Sequence, residues 1–265
     1  MPGMTVFDDL GAEQDRLGDV LTALSDADWV TPSLAEGWTV RDVVVHLAQT
    51  EEMALARLTG APDPAASTSP AAPTSPAVST DRANRTVEQI MADLVATDGS
   101  SPAEALRRWQ QARTGALAAL RAADPDRRIE WAAAPLRPAA LATTRLAEQW
   151  THGLDITGAL GVSFPDTRRL RHVAWLAHRM LPYAYGAAGE LTAAAPAPEV
   201  RAELTAPDGG EIWRFGPSDA GSAIVGPAGA FCRVAARRLP AAGSGLRTTG
   251  PDGARALELL RSYAI

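Results

Sequence analysis

Across the first half of the chain, apolar side chains recur at intervals of three and four. In residues 7–24, FDDLGAEQDRLGDVLTAL, the side chains of Phe7, Leu10, Leu17, Val20, Leu21 and Leu24 fall on one stripe of a helix. A turn, SDADW, follows, and a loop then runs to Gly37-Trp38. Thr39 has the chemistry of a helix cap, with Asp42 three residues on in the reciprocal capping position, so VRDVVVHLAQTEEMALARL reads as a second helix ending near Leu58. Helical pattern resumes near Thr86. Ser101-Pro102-Ala103-Glu104 is a further start signal, a serine cap followed by proline in the first turn and an acid at the third position. The helix it opens carries Leu106, Trp109, Ala112, Arg113, Ala116 and Leu120 and stops near Asp124-Pro125. Another runs from about Pro138 to Leu160 and ends at Gly161.

The period changes in the second half. A helix over about 167–185 serves as connector. VRAELTA and EIWRFGP then alternate with period two around Pro207-Asp208-Gly209-Gly210, which reads as a hairpin. A third strand, SAIVG, leads into the helix PAGAFCRVAARRL, and GLRTTG leads into PDGARALELLRSYAI. The pattern predicts an α+β protein. Residues 1–165 form an antiparallel four-helix bundle, and residues 166–265 form a connector helix and a small α+β domain.

One stretch fits neither period. Of the twenty residues 61–80, eighteen are Ala, Pro, Ser or Thr and five are Pro, so nothing there can build a packed element. It reads as a mobile loop within the helical domain.

Composition narrows the chemistry. A net charge of −6 gives little electrostatic support for nucleic-acid binding. The amino-terminal stretch lacks the apolar core of a signal peptide, and no run of 18 apolar residues is present to span a membrane, so a cytoplasmic protein is expected. All 25 basic residues are arginine, which excludes a lysine Schiff base and a P-loop lysine. Cys232 is the single cysteine. No internal disulfide or cysteine-rich metal site can form, and its apolar helical neighbours mark it as a buried spacer. No G-x-S-x-G elbow accompanies the serines.

Four histidines remain to be weighed. Glu148 and His152 stand at i and i+4 in RLAEQWTHGLDITGAL, with Asp155 three further on and Arg145 three before Glu148. These four make a polar stripe on an otherwise apolar helix, where each buried group needs a partner. His46 sits among Val43, Val44, Val45 and Leu47. Brought together from two facing helices, His46, Glu148 and His152 make a three-ligand site for a divalent metal with positions left open. The same Glu–His spacing also serves an ordinary surface hydrogen bond, and spacing alone does not choose. His172 and His178, in RRLRHVAWLAHRM, read as part of a solvated helix face. Trp38 and Trp150 lie close enough in sequence to the candidate ligands to line a pocket, and Arg237-Arg238 ends an apolar helix. Such a pair complements the helix dipole or clamps a carboxylate.

The stretch GWTVRDVVVHLAQTE resembles the histidine-bearing helix of the mycothiol-dependent maleylpyruvate isomerase family, within the DinB-like four-helix superfamily. RLAEQWTHGLDITGALG is similar to that family's second metal helix. VRAELTAPDGGEIWRFGP and IVGPAGAFCRVAARRL look like the carboxy-terminal domain of an actinobacterial branch, a domain similar to sterol-carrier folds. The resemblance implies that His46, Glu148 and His152 ligate a metal, zinc or another divalent ion. It further implies that Asp155 orients a ligand or a nearby arginine, and that Arg237 holds a substrate anion. The function so implied is a zinc-dependent, mycothiol-type transferase or isomerase acting on a small electrophile, with a low-molecular-weight thiol as cosubstrate, in a monomer or homodimer. Two alternatives remain beside it: a metal-dependent hydrolase or cyclase using bound water, and a non-catalytic metal- or small-ligand-binding protein.

Overall fold

A computed structural model describes residues 5–61, 87–131, 134–192 and 196–262. The chain divides into two compact units, one ending at Phe164 and the other beginning at Pro165. The expected mobile stretch 61–80 lies, from residue 62 onward, outside the described residues.

The first unit is built on α1 (Val6–Thr22), α2 (Asp26–Trp29), α3 (Val40–Thr59), α4 (Val87–Ala96), α5 (Pro102–Ala122) and α6 (Pro138–Leu160). The stripe read on α1 is the buried one: Leu10, Leu17 and Leu21 are inaccessible, with Phe7, Val20 and Leu24 half-buried beside them. The SDADW segment contains one short helix rather than only a turn. Ser25 and Asp28 close a capping box around it, with the Asp28 carboxylate accepting from the Ser25 backbone at 2.8 Å. The Thr39–Asp42 box on α3 is formed as expected. The Thr39 N–H donates to Asp42 at 3.0 Å and the Asp42 N–H donates back to Thr39 at 3.3 Å. Gly60, with φ 74°, closes the other end of that helix in the left-handed conformation that glycine adopts without penalty.

The four long helices α1, α3, α5 and α6 pack as a bundle, α3 chiefly against α5 and α1 chiefly against α6. Val43, Val44, Leu47, Leu17, Trp109 and Ile156 share its core. That core is apolar and continuous, so the helices are held by burial and not by whatever polar chemistry they carry. Among the described residues no helix is long and apolar enough to cross a membrane.

The second unit begins with α7 (Leu170–Arg179) and α8 (Leu181–Ala187), where the sequence pattern suggested one connector helix. Pro182 accounts for the break. It offers no backbone N–H and its ring would crowd the carbonyl four residues back, so the chain turns at Met180 and starts again. Then follow β1 (Val200–Thr205), β2 (Ile212–Phe215), β3 (Ser222–Pro227), α9 (Ala228–Ala235), β4 (Arg247–Thr249) and α10 (Gly253–Leu259). The expected hairpin is β1–β2, antiparallel, with Leu204 opposite Trp213. The sheet order is β2-β1-β3-β4, with β3 parallel to β1 and antiparallel to β4. The architecture is α+β: a helical bundle followed by helices on a small mixed sheet.

Candidate metal centre

Two helices of the bundle supply the polar groups. The capping box fixes where α3 begins, and counting from it places His46 one turn before the adjacent Thr50 and Glu51. α6 opens with proline in its first turn and carries Arg145, Glu148, Gln149, His152 and Asp155 before Gly161 ends it at φ 66°. Spacings of three and four on α6 bring Arg145, Glu148, His152 and Asp155 onto one face.

The structure brings His46, Glu148 and His152 together. One ligand-type atom from each lies within 4.8 Å of the other two. His46 Nε2 is 3.3 Å from Glu148 Oε2, and His152 Nε2 is 3.5 Å from the same oxygen. A tetrahedral zinc with bonds of about 2.0–2.1 Å separates its ligand atoms by about 3.3 Å, so the two histidine–glutamate separations fit such an ion, and the donor types suit it. The side chains are 11%, 16% and 10% exposed, buried enough to be rigid and open enough to be reached. Asp155 is fully buried. Its Oδ2 accepts from His152 Nδ1 at 2.9 Å, which leaves the Nε2 side of that ring for the centre. His46 Nδ1, by contrast, is buried with no partner among the described residues.

Burial presses the His46 imidazole below its ordinary pKa against the pull of Glu148, which favours the neutral ring a metal requires. Burial acts on His152 in the same direction, but hydrogen bonds to Asp155 and Glu148 outweigh it and raise that pKa to about 9. Burial would raise Glu148. Hydrogen bonds to both histidines and the Arg145 charge instead hold it well below the usual carboxylate range. A metal held through His152 Nε2 at neutral pH would have to displace that proton.

Trp38 forms a wall beside the histidines, its ring 5.0 Å from that of His46 and 6.2 Å from that of His152. The loop that carries it is pinned. Ser33 donates to the Trp38 carbonyl through both its backbone N–H and its hydroxyl at 2.8 Å, and the Leu34 N–H donates to the Asp155 carbonyl at 3.1 Å. Trp150, the other expected lining residue, is buried on α6.

A family model for the mycothiol maleylpyruvate isomerase N-terminal domain matches residues 10–157, the stretch that contains every group just described. The chain belongs to this family. Two relatives, uncharacterized proteins of Mycobacterium tuberculosis strains CDC 1551 / Oshkosh and H37Rv, are each 37% identical across 99% of the chain and 96% of their own length. Among solved structures, the mycothiol-dependent maleylpyruvate isomerase matches with TM-score 0.54 at 16% identity. A histidine-to-alanine mutant of it matches with TM-score 0.57 at 15% identity. Each comparison covers 93% of this chain and 95% of the other, and at that identity each speaks for the fold.

Arg237 belongs to the second unit. It is exposed, just beyond α9, and is the one non-glycine among the described residues with a positive φ, 60°. Its N–H bonds the Val234 carbonyl at 3.1 Å and the next N–H reaches Arg233 at 2.8 Å, a helix-ending geometry in which glycine is usual. An arginine held in that conformation costs backbone energy that glycine would not. His178 departs from the solvated face expected of it. It is half-buried, with Nε2 donating to the Val200 carbonyl at 2.8 Å, and it ties α7 to β1.

Glu51 carried no signal in the sequence. It is wholly buried and takes hydrogen bonds from Arg145 at 3.2 Å and Gln149 at 2.8 Å, while Gln149 in turn accepts from the Trp109 indole at 3.2 Å. In TEE it is indistinguishable from a solvated acid.

Cys232 is buried, with Sγ 3.7 Å from the Leu170 carbonyl, and burial pushes its thiol pKa far up. In the native protein it is expected to resist an aromatic disulfide reagent, and to react stoichiometrically once denaturant unfolds the chain. Rapid labelling of the folded protein would contradict this placement.

Proposed function

We propose that this protein is a zinc-dependent enzyme that uses a low-molecular-weight thiol of the mycothiol type to isomerise, or to transfer sulfur to, a small electrophilic acid. The observation that carries this reading is the convergence of His46, Glu148 and His152 inside the segment matched by the mycothiol maleylpyruvate isomerase family model. His46 and His152 would hold the metal through Nε2 and Glu148 through a carboxylate oxygen. A zinc ion with these ligands supplies a centre of net charge about +1 that favours the thiolate over the thiol near neutral pH.

The chain's own groups do the rest. Asp155 holds the His152 ring by its Nδ1–H and so fixes which nitrogen faces the centre. Trp38 lays an apolar face beside the two imidazoles, restricting water on that side. Arg237 is assigned the substrate carboxylate, by a fork-shaped contact that lysine could not reproduce. With Cys232 sealed in the second unit, the attacking sulfur comes from the cosubstrate.

The purified protein is expected to contain about one divalent metal per chain, to lose it to a strong chelator, and to regain it from zinc. Elemental analysis finding no uptake of zinc, cobalt or manganese by the folded apoprotein would end this reading.

A further inference from the structure

The bundle interior holds a second charged group that the three-ligand site does not use. The Arg145 side chain is 3% exposed and that of Glu51 0%. Arg145 Nε donates to Glu51 Oε1 at 3.2 Å, Nη2 donates to Thr50 Oγ1 at 3.0 Å, and the Trp131 ring lies over the guanidinium at 5.5 Å. Arg145 Nη2 also stands 3.9 Å from Glu148 Oε2, the same oxygen that faces both histidines.

As a device for stability this arrangement is poor. Two desolvated charges are commonly matched or bettered by apolar residues of similar volume. Here, moreover, Glu51 Oε2 is buried with no partner among the described residues. A pair selected to hold helices together would satisfy both oxygens. What the pair does achieve is to fix the guanidinium plane: Glu51, itself steadied by Gln149, holds one edge, Thr50 takes the other, and Trp131 covers the face. Nη2, already bonded to Thr50, then stands 3.9 Å from Glu148 Oε2, a fixed charge beside that oxygen rather than a hydrogen-bond donor to it. A carboxylate's terminal torsion is soft, and a fixed cation beside one oxygen removes that freedom.

We propose that the Glu51–Arg145 pair is a positioning element for the metal centre. It orients the Glu148 carboxylate so that Oε2 is the oxygen offered to the ion, and it leaves the bundle's stability to the apolar core. The inference rests on the metal reading above.

The test uses full-length protein in four forms: wild type, Arg145→Met, Arg145→Lys, and the double variant Glu51→Leu/Arg145→Met. Zinc affinity is read by chelator competition, coordination by the visible spectrum of the cobalt-substituted protein, and stability by thermal unfolding. Arg145→Met alone strands the Glu51 charge and should melt early. The double variant removes both charges and should recover the wild-type melting temperature, yet bind zinc roughly 10- to 100-fold more weakly with an altered cobalt spectrum. Arg145→Lys, which keeps the charge and loses the fork, should fold and still show the altered spectrum. A double variant that folds and keeps wild-type zinc affinity and spectrum overturns the proposal. So does a wild-type cobalt spectrum in Arg145→Lys when the double variant does not fold. Failure of the wild type itself to bind metal overturns the metal reading instead, and is recognised before any variant is compared.

Discussion

Turnover of a maleyl-type acid by the zinc-loaded protein is expected to fall to the uncatalysed background when mycothiol, or a cysteinyl surrogate for it, is withheld. The expectation follows from what the chain lacks in reach as much as from what it offers. A free thiol has a pKa of about 8.5, so only a few per cent is thiolate at pH 7, and a metal that enforces deprotonation raises the nucleophile roughly thirtyfold. The protein's only sulfhydryl is buried with its ionisation suppressed, and no lysine is present to form an imine. Nothing on the chain can replace the added thiol as a soft nucleophile. The assay compares maleyl-type and halo- or nitroarene electrophiles with mycothiol, with the surrogate and with neither. Equal rates in all three would transfer the chemistry to a water bound at the same ion, whose pKa a zinc centre also lowers to about 7.

His152→Ala is expected to take bound metal from about one per chain to near zero, and thiol-dependent turnover with it, while circular dichroism shows the helices intact. The variant removes one of the three converging donors and the imidazole that donates to Asp155. The fold survives because Leu17, Val43, Val44, Leu47 and Trp109 pack independently of the site. His46→Ala should behave alike. Arg237→Ala, in the second unit, should leave metal content unchanged and act on substrate, with KM raised and kcat/KM lowered about 10- to 150-fold, the range of one lost charge-assisted contact at about 1.5–3 kcal/mol. Wild-type metal content in His152→Ala would remove the ligand assignment. Unchanged kinetics in Arg237→Ala would remove the arginine's role and leave the centre standing.

Much of the helical half was legible because its signals are local. Caps at Thr39 and Ser101, the Gly161 terminus and the three-four spacing on α1 each concern residues within a turn of one another, and each is found in place. Spacing alone left His46, Glu148 and His152 open to an ordinary hydrogen-bonding role; the family resemblance singled them out together, and the structure brings them side by side. Two of the failures are non-local. Glu51 reads as a surface acid because its partners lie about a hundred residues away on α6. His178 reads as solvated because its acceptor is a strand carbonyl, invisible to periodicity. The break at Met180 is the exception. Pro182 announced it, and the apolar stripe running through both helices concealed it.

The sealed position of Cys232 also bears on durability. A catalyst of reactive carbon compounds works amid alkylating agents, and exposed thiols and amines are what such agents consume. Here the sulfur is inaccessible and every cationic side chain except the histidines is a guanidinium, weakly nucleophilic because it stays protonated. On the function proposed above, the molecule would expose neither a cysteine thiol nor a lysine amine to its electrophilic substrates.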